Sequence, residues 1–492
     1  MIENYFKIVI RNAKKHPLYV SINLLGLAVG MAVCLVILIY VRFEFSYDTY
    51  HPDGDRLYRV SRAWYNPDGE VSLHLGHTAP PFGPLIKSDF PDDVEVSARL
   101  FNYNPLIKNG NQAFEEERFF FVDPEVFDLF GWEIVEGEGK GALAQADGVI
   151  LSESTAKRYF GEKSAVGQTL IANLAGQEAT LQVRGVMKDV PQNTHFQVDF
   201  LSSMVPVIQF YGGLEPFMSN YGSNNFSTYI KLRPGLDYKD FEAKLPDLID
   251  RHMGENQAGI PFSKSTQLIL WPIESIHLYS NLDSEIEPNG NIDYVYIYLA
   301  VALFILLIAC INFMNLSTAR SSLRSMEVGL RKVMGADRGL LIRQFLGESF
   351  VMTLFAMVLA VLLVVFSLPF FADFTDKPLA FNPISNPEYL GLIVGIIVFV
   401  GLISGSYPAL FLSGFMPAKV LKGAFKAGKV HERFRSVLVV GQFAISVVLI
   451  VAVFVVINQL KFMQSKDLGF KKEDIVYLPT STRINDNWKI FK

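Results

Sequence analysis

Two residues with the S-x-x-K spacing, Ser154 and Lys157, could support nucleophilic chemistry. In Ser–Lys acyl enzymes the lysine is the base for the serine, and one helical turn brings the two side chains together. The S-D-N and K-T-G elements that accompany this pattern do not occur in the sequence. An exposed helix face therefore explains the pair better, although a membrane-anchored Ser–Lys enzyme stays open as a rival hypothesis.

Metal-ligand residue types occur in three further places. His74 and His77 could bring two imidazoles together, and Glu115–Glu117 could hold a cation, but neither group has further ligands at metal spacing. The two cysteines, Cys34 and Cys310, both lie in apolar runs and indicate small apolar packing residues. We expect surface histidines, a solvated glutamate turn and no metal site.

The sequence lacks two features that particular classes of protein need, a P-loop and charged residues at mid-membrane. No G-x-x-x-x-G-K-[ST] occurs, so we expect no P-loop ATPase activity and no enzyme in this chain. The apolar runs carry no midplane Asp, Glu, Lys or Arg, which ion-coupled carriers and proton relays use. This pattern disfavours a secondary transporter.

Five long apolar runs must position everything else. Each has the roughly 20 apolar residues that a helix needs to cross a bilayer. We predict an α-helical integral membrane protein with five spanning helices and a large mixed α/β extracytoplasmic domain. The predicted spans are 18–42, 293–319, 349–372, 389–412 and 436–460.

Charge predicts the orientation of these spans. Basic residues concentrate before the first span and in the short loops after the second and fourth, which marks the cytoplasmic side. Residues 43–292 hold 36 acidic and 19 basic side chains, a net charge of −17. We predict a multi-pass protein of the bacterial inner membrane, with a cytoplasmic N-terminus and no nucleic-acid partner.

Residues 43–292 alternate between strand-like and helix-like patterns. β-branched runs predict strands near 56–64, 148–152, 179–187 and 227–233, and an amphipathic pattern predicts one helix over 238–252. Strands at both ends of the segment suggest two lobes, the first built from the two ends.

The remaining segments are short. We predict an interfacial helix at 1–17, a helical region at 320–348, an outside loop at 373–388, a basic loop at 413–435 and the start of a second extracytoplasmic domain at 461–492. The context of the fifth span repeats that of the first, which suggests an internal repeat.

The stretch RSMEVGLRKVMGA, residues 324–336, is basic and has a helical period. Gly335 suits the end of one helix, and Asp337 suits the start of the next. A loop that only fixes topology needs charge but no apolar stripe, so the pattern favours a docking surface. The stripe consists of Leu323, Met326, Leu330 and Val333.

Small residues four apart occur in two of the spans. Gly26 and Gly30 lie in the first, and Gly401 and Gly405 lie in the fourth. Such pairs let helix backbones approach closely, either within the chain or with a second copy.

The stretch RSMEVGLRKVMGADRGLLIRQFLGESF, from residue 324, resembles the MacB/FtsX-type family of ABC transporter permeases and is the most specific motif for it. Supporting motifs are NYFKIVIRNAKKHPLYVSINLLGLAVGM, SYDTYHPDGDRLYRV, LSESTAKRYFG, VRGVMKDVPQNTHF and SGFMPAKVLKG. Long members of this family resemble two fused copies, so this chain would hold the first repeat and the start of the second.

The resemblance implies a permease subunit that pairs with a separate cytoplasmic ABC ATPase. That partner would bind ATP and Mg, with no cofactor bound directly by this chain. The implied dimer is a homodimer or a pseudo-dimer through the second repeat. The implied coupling residues are Glu327, Gly329, Arg331, Lys332, Gly335 and Ala336.

The implied activity is mechanotransmission. ATP hydrolysis changes the shape of the extracytoplasmic domain, for export or extraction of a peptide, lipoprotein or antimicrobial. The alternative is a non-transporting signal transducer that regulates an extracytoplasmic partner such as a cell-wall hydrolase.

Overall fold

The computed structural model describes residues 14–174, 176–319, 328–414 and 429–466. They divide into a helical unit, in 14–43 and from 293 onward, and an α/β unit, in 44–292. Most of three predicted segments lies outside the described residues: the interfacial helix at 1–17, the basic loop at 413–435 and the second domain at 461–492. Leu323, Met326 and Glu327 lie outside them too.

The described helices are α1 (Pro17–Phe45), α2 (Phe82–Asp89), α3 (Val126–Phe130), α4 (Lys140–Leu143), α5 (Glu153–Phe160), α6 (Val205–Phe210), α7 (Leu214–Met218), α8 (Tyr238–Glu242), α9 (Leu245–Met253), α10 (Ile273–Tyr279), α11 (Ile292–Ala319), α12 (residues 328–333), α13 (Arg338–Thr375), α14 (Pro387–Ser413) and α15 (Lys429–Ser465).

Five of these helices, α1, α11, α13, α14 and α15, are long and apolar enough to cross a membrane. The first four share one apolar core, which stabilises the bundle through close packing of small and large side chains. Both cysteines are free and buried in this core, as their apolar context predicts. The most apolar window of α15 has no buried residue.

The α/β unit is built on one sheet. Its strands are β1 (Leu57–Tyr65), β2 (Val71–Leu75), β3 (Val94–Tyr103), β4 (Leu106–Asn109), β5 (Gln112–Glu115), β6 (Phe119–Val122), β7 (Ile134–Gly137), β8 (Gly148–Ser152), β9 (Thr169–Leu174), β10 (Gln177–Met187), β11 (Phe200–Ser203), β12 (Ser227–Leu232) and β13 (Thr266–Pro272).

The strand order is β13-β1-β12-β3-β6-β11-β8-β10-β9-β4-β5, with β2 paired to β1 and β7 paired to β10. Most neighbours are antiparallel, but β6 runs parallel to β11 and β8 runs parallel to β10. The mixed α/β fold class is therefore confirmed. Strands from both ends of the segment gather on one side of the sheet, and the β3–β6 pair joins them to the rest.

The predicted helix over 238–252 is wrong in one respect, because the structure has two helices there. α8 ends at Glu242 and α9 begins at Leu245, with Pro246 in its first turn. Proline lacks the N–H that a continuous helix would need at this point, but it fits a first helical turn. The apolar face survives the break, since Phe241, Leu245, Leu248 and Ile249 are all fully buried.

Candidate functional site

The short helix α12 ends in a Schellman motif. Gly335 has φ of +97°, a backbone conformation that side chains with a Cβ rarely adopt. Its N–H donates to the Lys332 carbonyl (3.1 Å), and the Ala336 N–H donates to the Arg331 carbonyl (3.0 Å). These two bonds satisfy carbonyls that the end of the helix leaves open, so α12 stops at a defined point.

The next helix starts immediately. Asp337 is the N-cap of α13, and its side chain accepts a hydrogen bond from the Leu340 N–H at 2.9 Å. The joint between α12 and α13 is therefore only four residues long, 334–337, and a cap closes each side of it. We call residues 328–345 the elbow.

Two basic residues of the elbow contact other helices of the same unit. Arg331 Nη1 donates to Gln344 Oε1 on α13 at 2.5 Å. Lys332 Nζ donates to the backbone carbonyl of Ser413, the last residue of α14, at 2.6 Å. A lysine at this position satisfies an open helix-end carbonyl and complements the negative end of the helix dipole. The elbow is thus tied to both α13 and α14.

Apolar packing fixes the inner side of the elbow. Val328 is 2% exposed and belongs to a small core with Leu341 and Phe345 of α13 and with Ala409 and Phe411 of α14. The sequence did not predict this anchor, because Ala409 and Phe411 follow Val328 by about 80 residues along the chain. Sequence spacing alone gives no sign of which long-range neighbours Val328 meets.

The outer side of the elbow carries exposed apolar residues. Leu330, Val333 and Met334 are 55%, 62% and 73% exposed. They are spaced i, i+3 and i+4, so they lie on one face of the helical turn. We call these three residues the apolar edge.

The structure also places a buried carboxylate beside the elbow. Glu348 lies one residue before the predicted third span, is 8% exposed, and accepts a hydrogen bond from Gln344 Nε2 at 3.2 Å. Gln344 thus links Arg331 to Glu348. No local pattern singles out Gln344 or Glu348, since both stand at the start of an apolar run.

The paired glycines lie where helices of this chain approach closely. A Cβ on Gly30 would stand 2.6 Å from the Ala309 Cβ on α11, whereas one on Gly26 would come no nearer than 3.4 Å to Asn312. On α14, a Cβ on Gly401 would stand 2.7 Å from the Phe350 ring on α13, and one on Gly405 would stand 2.9 Å from the Ser349 Cβ. All four positions face another helix of the same chain.

The serine–lysine pattern does not form a dyad. Ser154 donates its hydroxyl to Asp189 at 2.9 Å, and Lys157 pairs with Glu162 at 3.1 Å. Ser154 lies in the first turn of α5 and Lys157 in its last turn, and the N-cap of this helix is Ser152. Each reactive group therefore has a different partner, and the exposed-helix interpretation accounts for the pair.

The other chemical patterns also have structural roles. His77 is half-buried rather than exposed, and the burial of its ring lowers its pKa to about 4, so the expected surface position is wrong. Glu116 is buried too (3% exposed) and receives hydrogen bonds from Arg158 and Tyr159, so it is not part of a solvated turn. Among the described residues, no three or more His, Cys, Asp or Glu side chains form a group that could hold a metal.

A buried charge cluster is centred on Asp48 of the SYDTYH motif, residues 46–51. Asp48, fully buried with φ of +59°, lies 2.9 Å from His195 Nδ1 and accepts a hydrogen bond from Thr194. Burial alone would raise the pKa of Asp48, but His195, His51 and Thr194 outweigh it and hold the pKa well below its usual range. The cluster fixes the chain where it enters the α/β unit.

Two family models match the chain. Residues 20–248 match the MacB-like periplasmic core domain, and residues 299–416 match the FtsX-like permease C-terminal domain. The second match contains the described elbow, and the first contains most of the α/β unit.

The chain is also similar to named proteins. It is 26% identical over 328 residues to the macrolide export ATP-binding/permease protein MacB of Bdellovibrio bacteriovorus, covering 65% of this chain and 44% of that one. It is 26% identical over 208 residues to the uncharacterized ABC transporter permease YknZ of Bacillus subtilis, covering 42% and 45%. The chain thus matches less than half the length of each.

Among solved structures, the chain is similar to a domain of a permease protein from Porphyromonas gingivalis. The sequence identity is 22% and the TM-score is 0.39, over 50% of this chain and 98% of that domain.

Proposed function

Since the chain belongs to the MacB/FtsX-type family of ABC transporter permeases, we propose that it couples ATP hydrolysis in a separate cytoplasmic ATPase to a conformational change of its α/β domain. The elbow is the coupling element and faces the cytoplasm with the N-terminus, while the α/β domain lies outside. The chain binds no nucleotide itself; ATP and Mg belong to the partner. The conformational change drives the export or extraction of a peptide, lipoprotein or antimicrobial.

The observation that carries this proposal is the exposed apolar edge on a rigidly capped elbow. An ATPase that packs on Leu330, Val333 and Met334 gains the free energy of burying them, about 1.5–3 kcal/mol for a fully buried side chain of this size. The caps at Gly335 and Asp337 stabilise the two helix ends. Motion of the ATPase therefore moves the elbow as a unit and does not unwind its helix ends locally.

The contacts inside the chain support a specific part for Arg331 and Lys332 in this coupling. They tie α12 to α13 and α14, so a push on the apolar edge reaches both helices. A charge reversal at these two residues would therefore damage the elbow itself. Substitution of the apolar edge tests docking more directly.

The test is co-purification of the full-length, detergent-solubilised protein with a native membrane extract, comparing wild type with Val333→Ser/Met334→Ser. We expect a P-loop ATPase, identified by mass spectrometry and by ATP hydrolysis in the eluate, to co-purify with wild type. The double variant should retain less than about a tenth of it, because loss of two apolar contacts exceeds the 1.4 kcal/mol that a tenfold change requires.

The matched control is Leu214→Ser, which removes a comparably exposed apolar side chain (63%) from the α/β unit and should leave ATPase binding unchanged. Thermal unfolding of each variant shows that the fold is intact. Retention of the ATPase by a folded Val333→Ser/Met334→Ser variant would refute the docking role. The apolar edge would then belong to another contact, such as the membrane interface.

A further inference from the structure

A large cavity opens in the α/β unit, and none of its lining residues belongs to the sequence motifs named above. It has a volume of about 780 Å³, which falls in the range of sites that bind drug-sized ligands. Its lining residues are Phe101, Tyr103, Phe121, Ala146, Asp147, Leu174, Gln177, Glu178, Ala179, Thr180, Leu181, Pro206, Val207, Gln209, Phe210, Tyr211 and Asn225.

Aromatic side chains from three elements give the cavity its apolar surface. Phe101 and Tyr103 at the end of β3 stack with ring centroids 6.4 Å apart, and Phe121 of β6 lies 6.2 Å from Tyr103. From α6, Phe210 reaches the cavity while remaining 75% exposed. Tyr211 is held in place because its hydroxyl lies 2.6 Å from Ser223 Oγ. These rings would bury apolar or aromatic groups of a ligand.

The polar part of the lining suits amide groups. The side chains of Gln177, Gln209 and Asn225 each carry a carbonyl acceptor and an NH₂ donor, and Thr180 adds a hydroxyl. This combination of neutral donors and acceptors complements the N–H and C=O groups of a peptide backbone. A purely apolar ligand would leave these groups without partners on binding, which costs affinity.

The charge of the cavity lining limits the range of ligands further. The cavity lining contains two acidic residues, Asp147 and Glu178, and no Lys or Arg. Each acid has a basic neighbour outside the lining, since Asp147 pairs with Arg184 and Glu178 with Lys108, but both carboxylates remain about half exposed. With the net charge of −17 over residues 43–292, the site repels anions and tolerates or attracts cations.

We propose that this cavity binds a short peptide segment that carries aromatic or branched apolar side chains and has a neutral or positive charge. The aromatic surface holds the side chains, the amide residues bond the backbone, and the acidic rim selects against negative charge. This proposal does not rest on the coupling function, because it concerns the α/β unit and requires neither ATP nor a partner.

The test measures fluorescence anisotropy of three labelled peptides on the full-length protein in lipid nanodiscs, with empty nanodiscs subtracted. The peptides share a Phe-Leu-Phe centre and differ only in two flanking residues on each side, which are Lys, Gln or Glu. We expect the Lys and Gln peptides to bind and the Glu peptide to bind at least about tenfold more weakly, because its carboxylates meet the acidic rim.

Two variants link the binding to the cavity. Thr180→Trp fills the cavity from an exposed strand position that tolerates a large aromatic residue. It should lower the affinity for the Lys and Gln peptides by at least about tenfold. Gln177→Arg should raise the affinity of the Glu peptide relative to the other two. The control is Leu214→Ala, an exposed apolar residue on α7 outside the lining, which should change nothing.

The proposal fails if no peptide shows binding beyond that of empty nanodiscs. It also fails if all three peptides bind equally, or if Thr180→Trp binds them as wild type does. Failure of this test leaves the coupling proposal intact, since that proposal depends on the elbow and is read out by ATPase co-purification.

Discussion

Replacing Gly30 by alanine tests how closely α1 and α11 pack. The added Cβ would stand 2.6 Å from the Ala309 Cβ, a distance that real Cβ atoms essentially never show. The two helices must therefore separate locally or shift. The matched variant is Gly395→Ala on α14, where the structure places nothing within 4 Å of the new Cβ.

The expected magnitude follows from this comparison. Overpacking a dense core costs about 1–3 kcal/mol. Alanine is also a better helix former than glycine by about 1 kcal/mol, but that gain applies to both variants and cancels in their difference. Gly30→Ala should therefore be less stable than Gly395→Ala by about 1–3 kcal/mol. For a unit of this size the difference corresponds to roughly 2–12 °C in apparent Tm.

The native cysteines provide the assay. Cys34 on α1 and Cys310 on α11 are 4% and 0% exposed, so a fluorogenic maleimide reacts with them only when the helices open. Heating the full-length protein in detergent with this dye reports the separation of the helix pair that carries Gly30. Equal apparent Tm values for the two alanine variants would refute the close contact. A lower Tm for Gly395→Ala would refute it more strongly.

Two further predictions concern the elbow and the α/β unit. Asp337→Ala should remove the cap of α13, at about 1 kcal/mol, and speed hydrogen exchange of the Leu340 amide about fivefold, whereas Asp337→Asn should keep the slow rate; equal rates in both variants would contradict the cap. Burial lowers the pKa of His77 to about 4, so below pH 6.5 the unfolded chain binds a proton that the folded chain does not, and stability falls with falling pH. From pH 6.5 to pH 5 the loss should be about 2 kcal/mol, seen as a lower Tm by tryptophan fluorescence, and an equally steep loss in His77→Gln would show that another group is responsible.

The parts of the fold that could be predicted from sequence are those set by local pattern. Charge-free apolar runs identified the spanning helices, and the β8 strand, Gly148–Ser152, was predicted to the residue because a short β-branched run stands between turn residues. The caps at Gly335 and Asp337 could be predicted equally well, since each depends on the backbone and side chain of the capping residue itself.

What could not be predicted depends on neighbours far away in the chain. Glu116 looked like one of three solvated acids, yet it is buried by α5, about 40 residues later, through Arg158 and Tyr159. His77 likewise carries no local sign of its burial. The lining of the 780 Å³ cavity comes from segments spread over more than a hundred residues, so no motif could reveal it.

The internal contacts of the elbow bear on the choice between a coupling element and a topology anchor. An anchor acts through its charge during insertion and needs no particular partner for it. Here Lys332 is bonded to the last carbonyl of α14, and Arg331 is bonded to Gln344. Hydrogen bonds from charged groups contribute about 1.5–3 kcal/mol each, so they hold α12, α13 and α14 together as one body.

A rigid body of this kind is needed if ATPase binding is to shift the conformational equilibrium of another domain. Moving a two-state domain from 1:99 to 99:1 takes about 5.5 kcal/mol of differential binding, and a flexible loop would dissipate that energy in its own motion. The elbow instead leaves its apolar edge exposed, while Arg331 and Lys332 donate hydrogen bonds to α13 and α14. The arrangement therefore favours contact through Leu330, Val333 and Met334, and transmission through Arg331 and Lys332.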